Sequence, residues 1–211
     1  MMIHSSASID SAILMLASAK LGIHFSVIFE ELEAQGIKNR IKLFQPNIFF
    51  SRLSKIKFMK QMGFTSYNKI KFIFKEDLEK ILKQKKNPKS IPNKILKSGK
   101  SLFTLFTSGS TGAPKGITHS TGGYLLYSKL TCQNQFGMNK NSVVLTASDA
   151  GWINGHTYSL FGPLSIGATT VLIEKPISLI DIKLFKKILK LRVSIIYLPV
   201  TLIRLIKSLN K

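Results

Sequence analysis

A loop rich in glycine, serine and threonine, Thr107–Gly116, holds the residues of this chain best suited to chemistry. It reads Thr-Ser-Gly-Ser-Thr-Gly-Ala-Pro-Lys-Gly and follows the apolar run Leu102–Phe106. Glycines let backbone N–H groups converge on an oxyanion, hydroxyl groups add donors, and a lysine adds positive charge. The loop is therefore predicted to bind phosphate. The spacing excludes a Walker A loop, because only two residues separate Gly112 from Lys115 and a glycine follows the lysine.

The order of these residues resembles the phosphate-binding loop of the adenylate-forming superfamily: acyl- and aryl-CoA synthetases, nonribosomal adenylation domains and luciferases. An ordinary surface loop would have a similar composition. The resemblance implies that the loop holds phosphates of ATP, with Mg²⁺ as the companion ion. The residues implied to contact phosphate are Thr107, Ser108, Ser110, Thr111 and Lys115. The glycines implied to let the backbone bend are Gly109, Gly112 and Gly116.

Two longer stretches resemble the acetyl-CoA synthetase branch of that superfamily. Lys115–Tyr124 matches its Lys-Gly, histidine and Gly-Gly-Tyr pattern, and Ser148–Tyr158 matches Asp-x-Gly-Trp-x-x-Gly-His-[Ser/Thr]-Tyr. The residues implied to line the acyl pocket are Trp152, Ile153, Asn154 and Gly155, and those implied to be catalytic are Lys115 and His156. Two plainer readings stay open: Trp152 as a core aromatic residue, and His119 and His156 as hydrogen-bonded structural histidines. Neither histidine has a second ligand at metal spacing, so no metal site is predicted.

The resemblance implies a two-step ligase reaction. A small carboxylate attacks the α-phosphate of ATP and releases pyrophosphate, and the thiol of coenzyme A then displaces AMP from the acyl-adenylate. The loop would stabilise charge on the β- and γ-phosphates as pyrophosphate leaves. The choice between acetate, propionate and another short acid stays open. The alternative function is a non-catalytic remnant or subunit that binds nucleotide or pyrophosphate.

Some positions depart from the family pattern. Glu30-Glu31 replace two glycines near the coenzyme A path, and their charge is expected to oppose a polyanionic coenzyme. Leu198–Arg204 keeps the threonine and arginine of the family's Thr-Ala-Pro-Thr-Ala-Ile-Arg but loses its Ala-Pro. The family's later AMP-contacting elements and its small C-terminal domain are expected to be absent. The chain is thus predicted to be an interior fragment of the large domain, or one piece of a split enzyme completed by a second polypeptide.

The composition bears on two other classes of protein, disordered chains and nucleic-acid-binding proteins. Hydrophobic residues make up 45% of the 211 residues, which favours a packed core. The net charge of +21 is concentrated in 51–100, where fifteen basic and three acidic residues occur. This basic segment raises a nucleic-acid hypothesis, but lysine far exceeds arginine and aromatic residues are not interleaved with it, so nucleic-acid binding is not favoured.

A single cysteine, Cys132, fits a reducing compartment and is expected to be a small core residue. No apolar run reaches the roughly 18 residues of a membrane span, so no membrane partner is predicted. The cytoplasm is the predicted location.

Alternating helix and strand patterns predict the elements that position these residues. They indicate an α/β fold, a mostly parallel sheet with flanking helices, in which ligands gather at the carboxyl ends of strands. The predicted strands are 23–29, 47–50, 71–74, 102–106, 142–147, 168–173 and 193–198. The predicted helices are 9–22, 31–43, 75–82, 124–136, 158–164 and 180–190.

Two segments are predicted. Residues 1–100 form a partial α/β subdomain with a basic variable segment at 52–100, and residues 101–211 carry the phosphate loop and the acyl-pocket motif. In the first helix, the apolar residues Ile9, Ile13, Leu14, Leu16, Ala17 and Leu21 are expected to form the buried side.

Overall fold

The computed structural model describes residues 1–63, 67, 69–84, 91–107, 113–174 and 182–208. The chain divides into two compact units. The first unit comprises Met1–Ser5 and Ile13–Thr121, and the second comprises Ser6–Ala12 and Gly122–Lys211. These units do not test the predicted segments 1–100 and 101–211, which stay a prediction about where the motifs lie.

The first unit contains a parallel sheet. Its strands, in spatial order, are β2 (Ser26–Ile28), β1 (Met2–His4), β3 (Ile48–Ser51) and β4 (Lys71–Phe74). Met2, Ile3, Phe49 and Phe50 are fully buried, as expected for strands covered on both faces. The helices of this unit that connect the strands are α2 (Ala34–Phe44), α3 (Lys55–Met62) and α4 (Lys75–Lys83), together with most of α1 (Ile9–Leu21).

Side chains at the ends of two helices explain where they begin. The Ser54 hydroxyl accepts a hydrogen bond from Lys57 N and caps α3, and the Asp77 carboxylate accepts one from Phe74 N at the start of α4. Helix α2 ends where Gln45 adopts the left-handed conformation, with φ 51°.

An antiparallel hairpin forms a second, two-stranded sheet in this unit. It consists of β5 (Ser101–Thr107) and β6 (Lys115–Ser120). Phe25, just before β2, forms an isolated parallel bridge with Phe103 of β5: Phe25 N donates to Leu102 O, and Thr104 N donates to Phe25 O. This bridge holds the hairpin beside the β2 edge of the four-stranded sheet.

The second unit has its own parallel sheet. Its spatial order is β8 (Thr169–Val171), β7 (Val143–Thr146) and β9 (Ile195–Tyr197). Its helices are α5 (Thr121–Phe136, whose first residue belongs to the first unit), α6 (Ile153–His156), α7 (Gly162–Ile166), α8 (Ile182–Leu189) and α9 (Val200–Ser208). Cys132, Met138, Val144 and Ala168 form one buried cluster of this unit.

A π-helical turn, Thr157–Phe161, joins α6 to α7. Such a turn leaves carbonyl groups without their usual helical donors. Threonines from the sheet supply donors here, because the Thr146 hydroxyl donates to Tyr158 O and the Thr170 hydroxyl donates to Ser159 O. The widened turn is thus held against the strands by specific hydrogen bonds.

The predicted α/β class with mainly parallel sheets is confirmed. Strand 71–74 has the predicted bounds, and every other predicted strand and helix matches an observed element, with shifted ends. The elements that the sequence interpretation did not identify are β1, β6, α3, α6 and α9. Because β1 lies between β2 and β3, those two strands are parallel to each other but are not neighbours.

The predicted buried side of α1 is wrong. Ile9 is 57% exposed, and Ile13 and Leu16 are each 38% exposed. The buried side instead carries small and hydroxyl side chains with one methionine: Ser8, Ser11, Ala12, Met15 and Ser18. The Ser11 hydroxyl donates to the Ser8 carbonyl at the helix start, and the Ser18 hydroxyl donates to the Met1 sulfur.

Candidate functional site

The predicted phosphate loop connects the two strands of the hairpin. Thr107, the last residue of β5, lies opposite Lys115, the first residue of β6, and both are exposed. The strand register therefore places the two ends of the loop, Thr107 and Lys115, opposite each other. Ser108, Gly109, Ser110, Thr111 and Gly112 lie outside the described residues, so their predicted contacts are not described.

Gly116 has a steric reason to be glycine. A Cβ at this position would lie 3.0 Å from Thr104 Cγ2 and 3.3 Å from Phe106 Cε1. Phe106 is its partner in the strand register, and the Arg40 guanidinium lies 5.7 Å from the centre of the Phe106 ring. The absent side chain leaves room for the Phe106 ring and the Thr104 methyl group beside Gly116.

Polar contacts across the hairpin fix its register. The Thr104 and Thr118 hydroxyl oxygens lie 2.7 Å apart, and His24 Nε2 lies 2.9 Å from the Thr104 oxygen. Burial lowers the pKa of His24, which favours the neutral ring in this contact. Leu102, Phe103 and other apolar residues of β5 are buried, so the strand that leads into the predicted phosphate loop is packed into the core.

The second motif forms a tight turn around Asp149. Its carboxylate accepts a hydrogen bond of 2.7 Å from Gly151 N, and its carbonyl accepts one of 3.1 Å from Trp152 N. A Cβ on Gly155 would overlap the Asp149 carbonyl oxygen. Glycine at position 155 is therefore required by a backbone contact, and the predicted substrate role of Gly155 stays a prediction.

His156 lies on the inner side of the same turn and is fully buried. Its Nδ1 lies 3.2 Å from the Trp152 carbonyl oxygen, so this nitrogen carries a proton and donates. The contact supports the turn that presents Trp152. A buried, donating ring fits a positioning role more directly than contact with substrate, and the predicted catalytic role stays a prediction.

One hydrogen bond joins the two stretches that resemble the acetyl-CoA synthetase branch. The Tyr124 and Thr157 hydroxyl oxygens lie 3.0 Å apart, and both residues are buried. Burial raises the pKa of Tyr124, which keeps the phenol protonated. The Gly-Gly-Tyr segment at the start of α5 is thereby tied to the His-Thr-Tyr segment after α6.

A cavity of about 340 Å³ opens in the second unit at the carboxyl ends of β7 and β9. Three of the predicted acyl-pocket residues line it: Trp152, Ile153 and Asn154. The remaining lining residues are Ala147, Ser148, Tyr197, Pro199 and Thr201. The structure thus brings these three predicted residues together around one space, at the strand ends where ligands bind α/β sheets.

Tyr197 and Pro199 were missed as site residues. Tyr197 is the last residue of β9 and lies opposite Thr146 in the register of the parallel pair β7–β9. The sequence did contain a signal for Tyr197. It lies near the carboxyl end of a predicted strand, and ligands bind α/β sheets at such strand ends. What was not visible is that β9 pairs with β7, the strand that precedes the motif.

The acidic pair at the predicted coenzyme A path has mixed surroundings. The Glu30 carboxylate lies 3.7 Å from an Arg52 guanidinium nitrogen, whereas Glu31 is exposed. The guanidinium compensates part of the charge of Glu30. The expected repulsion of a polyanionic coenzyme is therefore reduced at Glu30 and retained at Glu31.

Buried polar residues lie beside this ion pair at the strand ends. His4 Nε2 donates to the Glu30 carbonyl at 3.1 Å, and His4 Nδ1 lies 3.0 Å from the Ser51 hydroxyl. Burial lowers the pKa of His4 to about 4, so the ring is neutral near pH 7 and Nδ1 accepts from Ser51. These contacts tie together the ends of β1, β2 and β3.

The remaining groups indicate no metal centre in the described part of the chain. Within it, no three His, Cys, Asp or Glu side chains form a cluster suited to a metal ion. The His119 ring lies 4.8 Å from that of Phe103, and burial lowers its pKa. Cys132 is buried, and burial raises the pKa of its thiol to about 11.

None of the helices among the described residues has the length and apolarity needed to span a bilayer.

The fold is thus α/β, with Lys115 at the start of β6 in the first unit and a cavity beside Ser148 and Trp152 in the second unit. The profile of the AMP-binding enzyme family matches residues 1–211, and the chain belongs to this family. The predicted superfamily and its acetyl-CoA synthetase branch are confirmed.

Individual relatives agree with this assignment. Acetyl-coenzyme A synthetase 2 of Candida albicans is 33% identical over an alignment of 228 residues, gaps included, and the alignment covers 94% of this chain and 33% of that protein. Acetyl-coenzyme A synthetase 2 of Kluyveromyces lactis is 45% identical over 111 residues, 52% of this chain and 16% of that protein. This chain thus spans at most about a third of the length of these relatives.

A solved structure shares the fold. Acetoacetyl-CoA synthetase from Streptomyces lividans superposes with a TM-score of 0.65 and 17% identity, covering 82% of this chain and 29% of that one. At this identity the likeness concerns the fold alone.

Proposed function

We propose that this chain carries part of the active site of an ATP-dependent carboxylate–CoA ligase. The observation that carries the proposal is the pairing of Thr107 with Lys115 across the hairpin that bears the Gly/Ser/Thr loop. The cavity behind Asp149–Trp152 gives independent support. The relatives named above are acetyl-CoA synthetases, and we carry their reaction type to this chain as part of the proposal.

In the proposed first step, a carboxylate oxygen of the acid forms a bond to the α-phosphorus of ATP. The bond to the bridging oxygen breaks, and pyrophosphate leaves with the electron pair. The Lys115 ammonium would stabilise the charge that develops on the departing phosphates. Hydroxyl groups of Thr107, Ser108, Ser110 and Thr111 would add donors, and Mg²⁺ would neutralise phosphate charge. The observed flanks fit this task, because Thr107 and Lys115 are exposed and Gly116 leaves the strand uncrowded.

The acid would bind in the cavity lined by Trp152, Ile153 and Asn154. Its volume of about 340 Å³ leaves room for a carboxylic acid without selecting its length, and the exposed indole of Trp152 forms part of its wall. Coenzyme A would be the second substrate, its thiol displacing AMP from the acyl-adenylate. Because Glu31 opposes a polyanion, we derive no step from the residues near it.

The proposal extends to partners and location. This chain spans about a third of the length of the Candida relative, and the groups for adenine and ribose would come from residues outside it, in the same or in a second polypeptide. The enzyme would act in the cytoplasm, which the single buried cysteine supports. The second candidate function, a non-catalytic module that binds nucleotide or pyrophosphate, is supported by the hairpin alone.

Lys115→Ala tests the phosphate role. We expect ATP affinity of the full chain, measured by calorimetry, to fall about 10- to 100-fold, because a charge-assisted contact contributes about 1.5–3 kcal/mol. Lys129→Ala, an exposed lysine on α5, is the matched control and should bind ATP like the parent chain.

Equal ATP affinity of the two lysine variants would contradict the phosphate role. Acetate-dependent pyrophosphate exchange then separates the two candidate functions. Exchange by the chain supports the ligase, whereas ATP binding without exchange, even with an added complementary segment of an acetyl-CoA synthetase, supports the binding module.

A further inference from the structure

The wall of the cavity in the second unit has an apolar side and a polar side. Ala147, Ile153 and Pro199 contribute apolar surface. The residues with polar side-chain groups are Ser148, Asn154, Tyr197 and Thr201. A purely aliphatic acyl chain would cover the first set but would bury polar groups of the second without replacing their hydrogen bonds to water, which is unfavourable.

A side-chain hydrogen bond organises the polar side. Asn154 Nδ2 donates to the Tyr197 hydroxyl oxygen at 3.4 Å. The phenol keeps its own proton to donate, and the Asn154 amide also carries a carbonyl oxygen that accepts. The pair therefore presents one donor and one acceptor side by side.

The Tyr197 ring is held in place by two other rings. The centre of the Phe136 ring lies 5.6 Å away with the planes at 83°, and that of Tyr158 lies 5.4 Å away with the planes at 61°. Both arrangements are favourable edge-to-face contacts. The hydroxyl oxygen thus has a defined position before any ligand binds, which lowers the entropic cost of using it.

We propose that the Asn154–Tyr197 pair selects a short carboxylic acid with an oxygen substituent on its second or third carbon. The substituent oxygen accepts from the Tyr197 hydroxyl, and a hydroxyl substituent also donates to the Asn154 carbonyl. A hydroxy acid uses both groups and an oxo acid uses one. The inference rests on the proposed function, since it takes the cavity as the acyl pocket. A site built to hydrogen-bond a substituent discriminates strongly against the analogue that lacks it.

The chain contains its own reporter for the test. Trp152 is the single tryptophan, lines the cavity and is 57% exposed, so its fluorescence reports on ligands there. The full chain is titrated with pairs of acids that differ in one substituent: glycolate against acetate, lactate and pyruvate against propionate, and 3-hydroxybutyrate and acetoacetate against butyrate. All acids carry one negative charge, so the effect of the chain's net charge of +21 cancels within each pair.

We expect at least one oxygen-substituted acid to bind about tenfold or more tightly than its aliphatic partner, with the hydroxy acid ahead of the oxo acid. Tyr197→Phe, which keeps the ring, should bring the ratio within that pair close to one. Asn154→Leu should reduce the ratio as well. Tyr127→Phe, an exposed tyrosine on α5, is the matched control and should leave the ratio as in the parent chain. Circular dichroism checks that each variant is folded.

Two outcomes overturn the inference in different ways. Equal affinity within every pair, or a ratio unchanged in folded Tyr197→Phe, refutes selection by this pair and leaves the proposed acyl pocket intact. If Trp152 responds to none of the acids at saturating ATP, both the inference and the acyl-pocket role of the cavity are refuted. The phosphate role of Lys115 is tested separately by ATP binding.

Discussion

The hairpin of the first unit and the motif turn of the second unit both depend on glycine, but for different physical reasons. At Gly116 an added Cβ would meet the ends of side chains, Thr104 Cγ2 at 3.0 Å and the edge of the Phe106 ring. At Gly155 it would overlap the backbone carbonyl of Asp149. Side chains can move by a few tenths of an ångström, whereas a carbonyl held by the turn cannot. The motif turn should therefore tolerate less change than the hairpin.

The glycine pair gives the largest expected effect. Gly155→Ala should lower the free energy of unfolding by about 3 kcal/mol or more, because overpacking against backbone must displace the turn. Gly116→Ala should lower it by less than about 1 kcal/mol. Thermal or urea unfolding measures both. Gly99→Ala, where nothing lies within 4 Å of the new Cβ, corrects for the change of residue type alone. Equal losses of unfolding free energy at positions 116 and 155 would refute the inferred difference between the two glycines.

In the first unit, the stability of the fold is expected to depend on pH through the buried ring of His4. The folded-state pKa of His4 is about 4 against an ordinary value of 6.5, so the unfolded chain binds a proton between these values and the folded chain does not. Stability contributed by neutral His4 is therefore complete above about pH 6.5 and is lost as the pH falls to about 4. The loss amounts to about 3 kcal/mol.

Urea unfolding across pH 4–7 measures this effect. His4→Gln should flatten the curve in this window, while His119→Gln, a half-buried ring, should leave most of the slope. A parent curve that is already flat between pH 6.5 and 4 would refute the assignment.

The smallest effect concerns the link between the two motif stretches. Tyr124→Phe removes the hydroxyl that lies 3.0 Å from the Thr157 hydroxyl and should cost about 1 kcal/mol of stability. Tyr127→Phe on the exposed side of α5 should cost close to nothing. A double-mutant cycle with Thr157→Val isolates the pair, and a coupling energy near zero would show that the two stretches are not joined by this bond.

The sequence predicted the family, the α/β class and three of the residues that line the cavity, Trp152, Ile153 and Asn154. Ordered strings such as Thr107–Gly116 and Ser148–Tyr158 made this possible, because a glycine at a close approach or an aspartate in a turn is a local requirement. Gly155 and Asp149 illustrate it, since both act within one turn of seven residues. The phosphate contacts of Ser108–Gly112 and the substrate and catalytic roles stay predictions.

Contacts between residues that are distant in the chain could not be predicted from the sequence in the same way. The apolar residues of α1 predicted the wrong buried side, because the pattern of one helix does not say which neighbouring surface it meets. Strand β1 has only three residues and was not identified, so its place between β2 and β3 was not predicted. Short strands carry little periodicity, and pairing decides their place.

By itself, then, the sequence determined which chemistry the chain resembles and where along the chain its turns and glycines lie. Only the tertiary structure decided that Tyr197 lies beside Asn154, with Phe136 and Tyr158 around its ring. The physical reason is that turns are set by backbone geometry over a few residues. The surface of a cavity is set by strands and helices that are distant in sequence and meet only when the sheet forms.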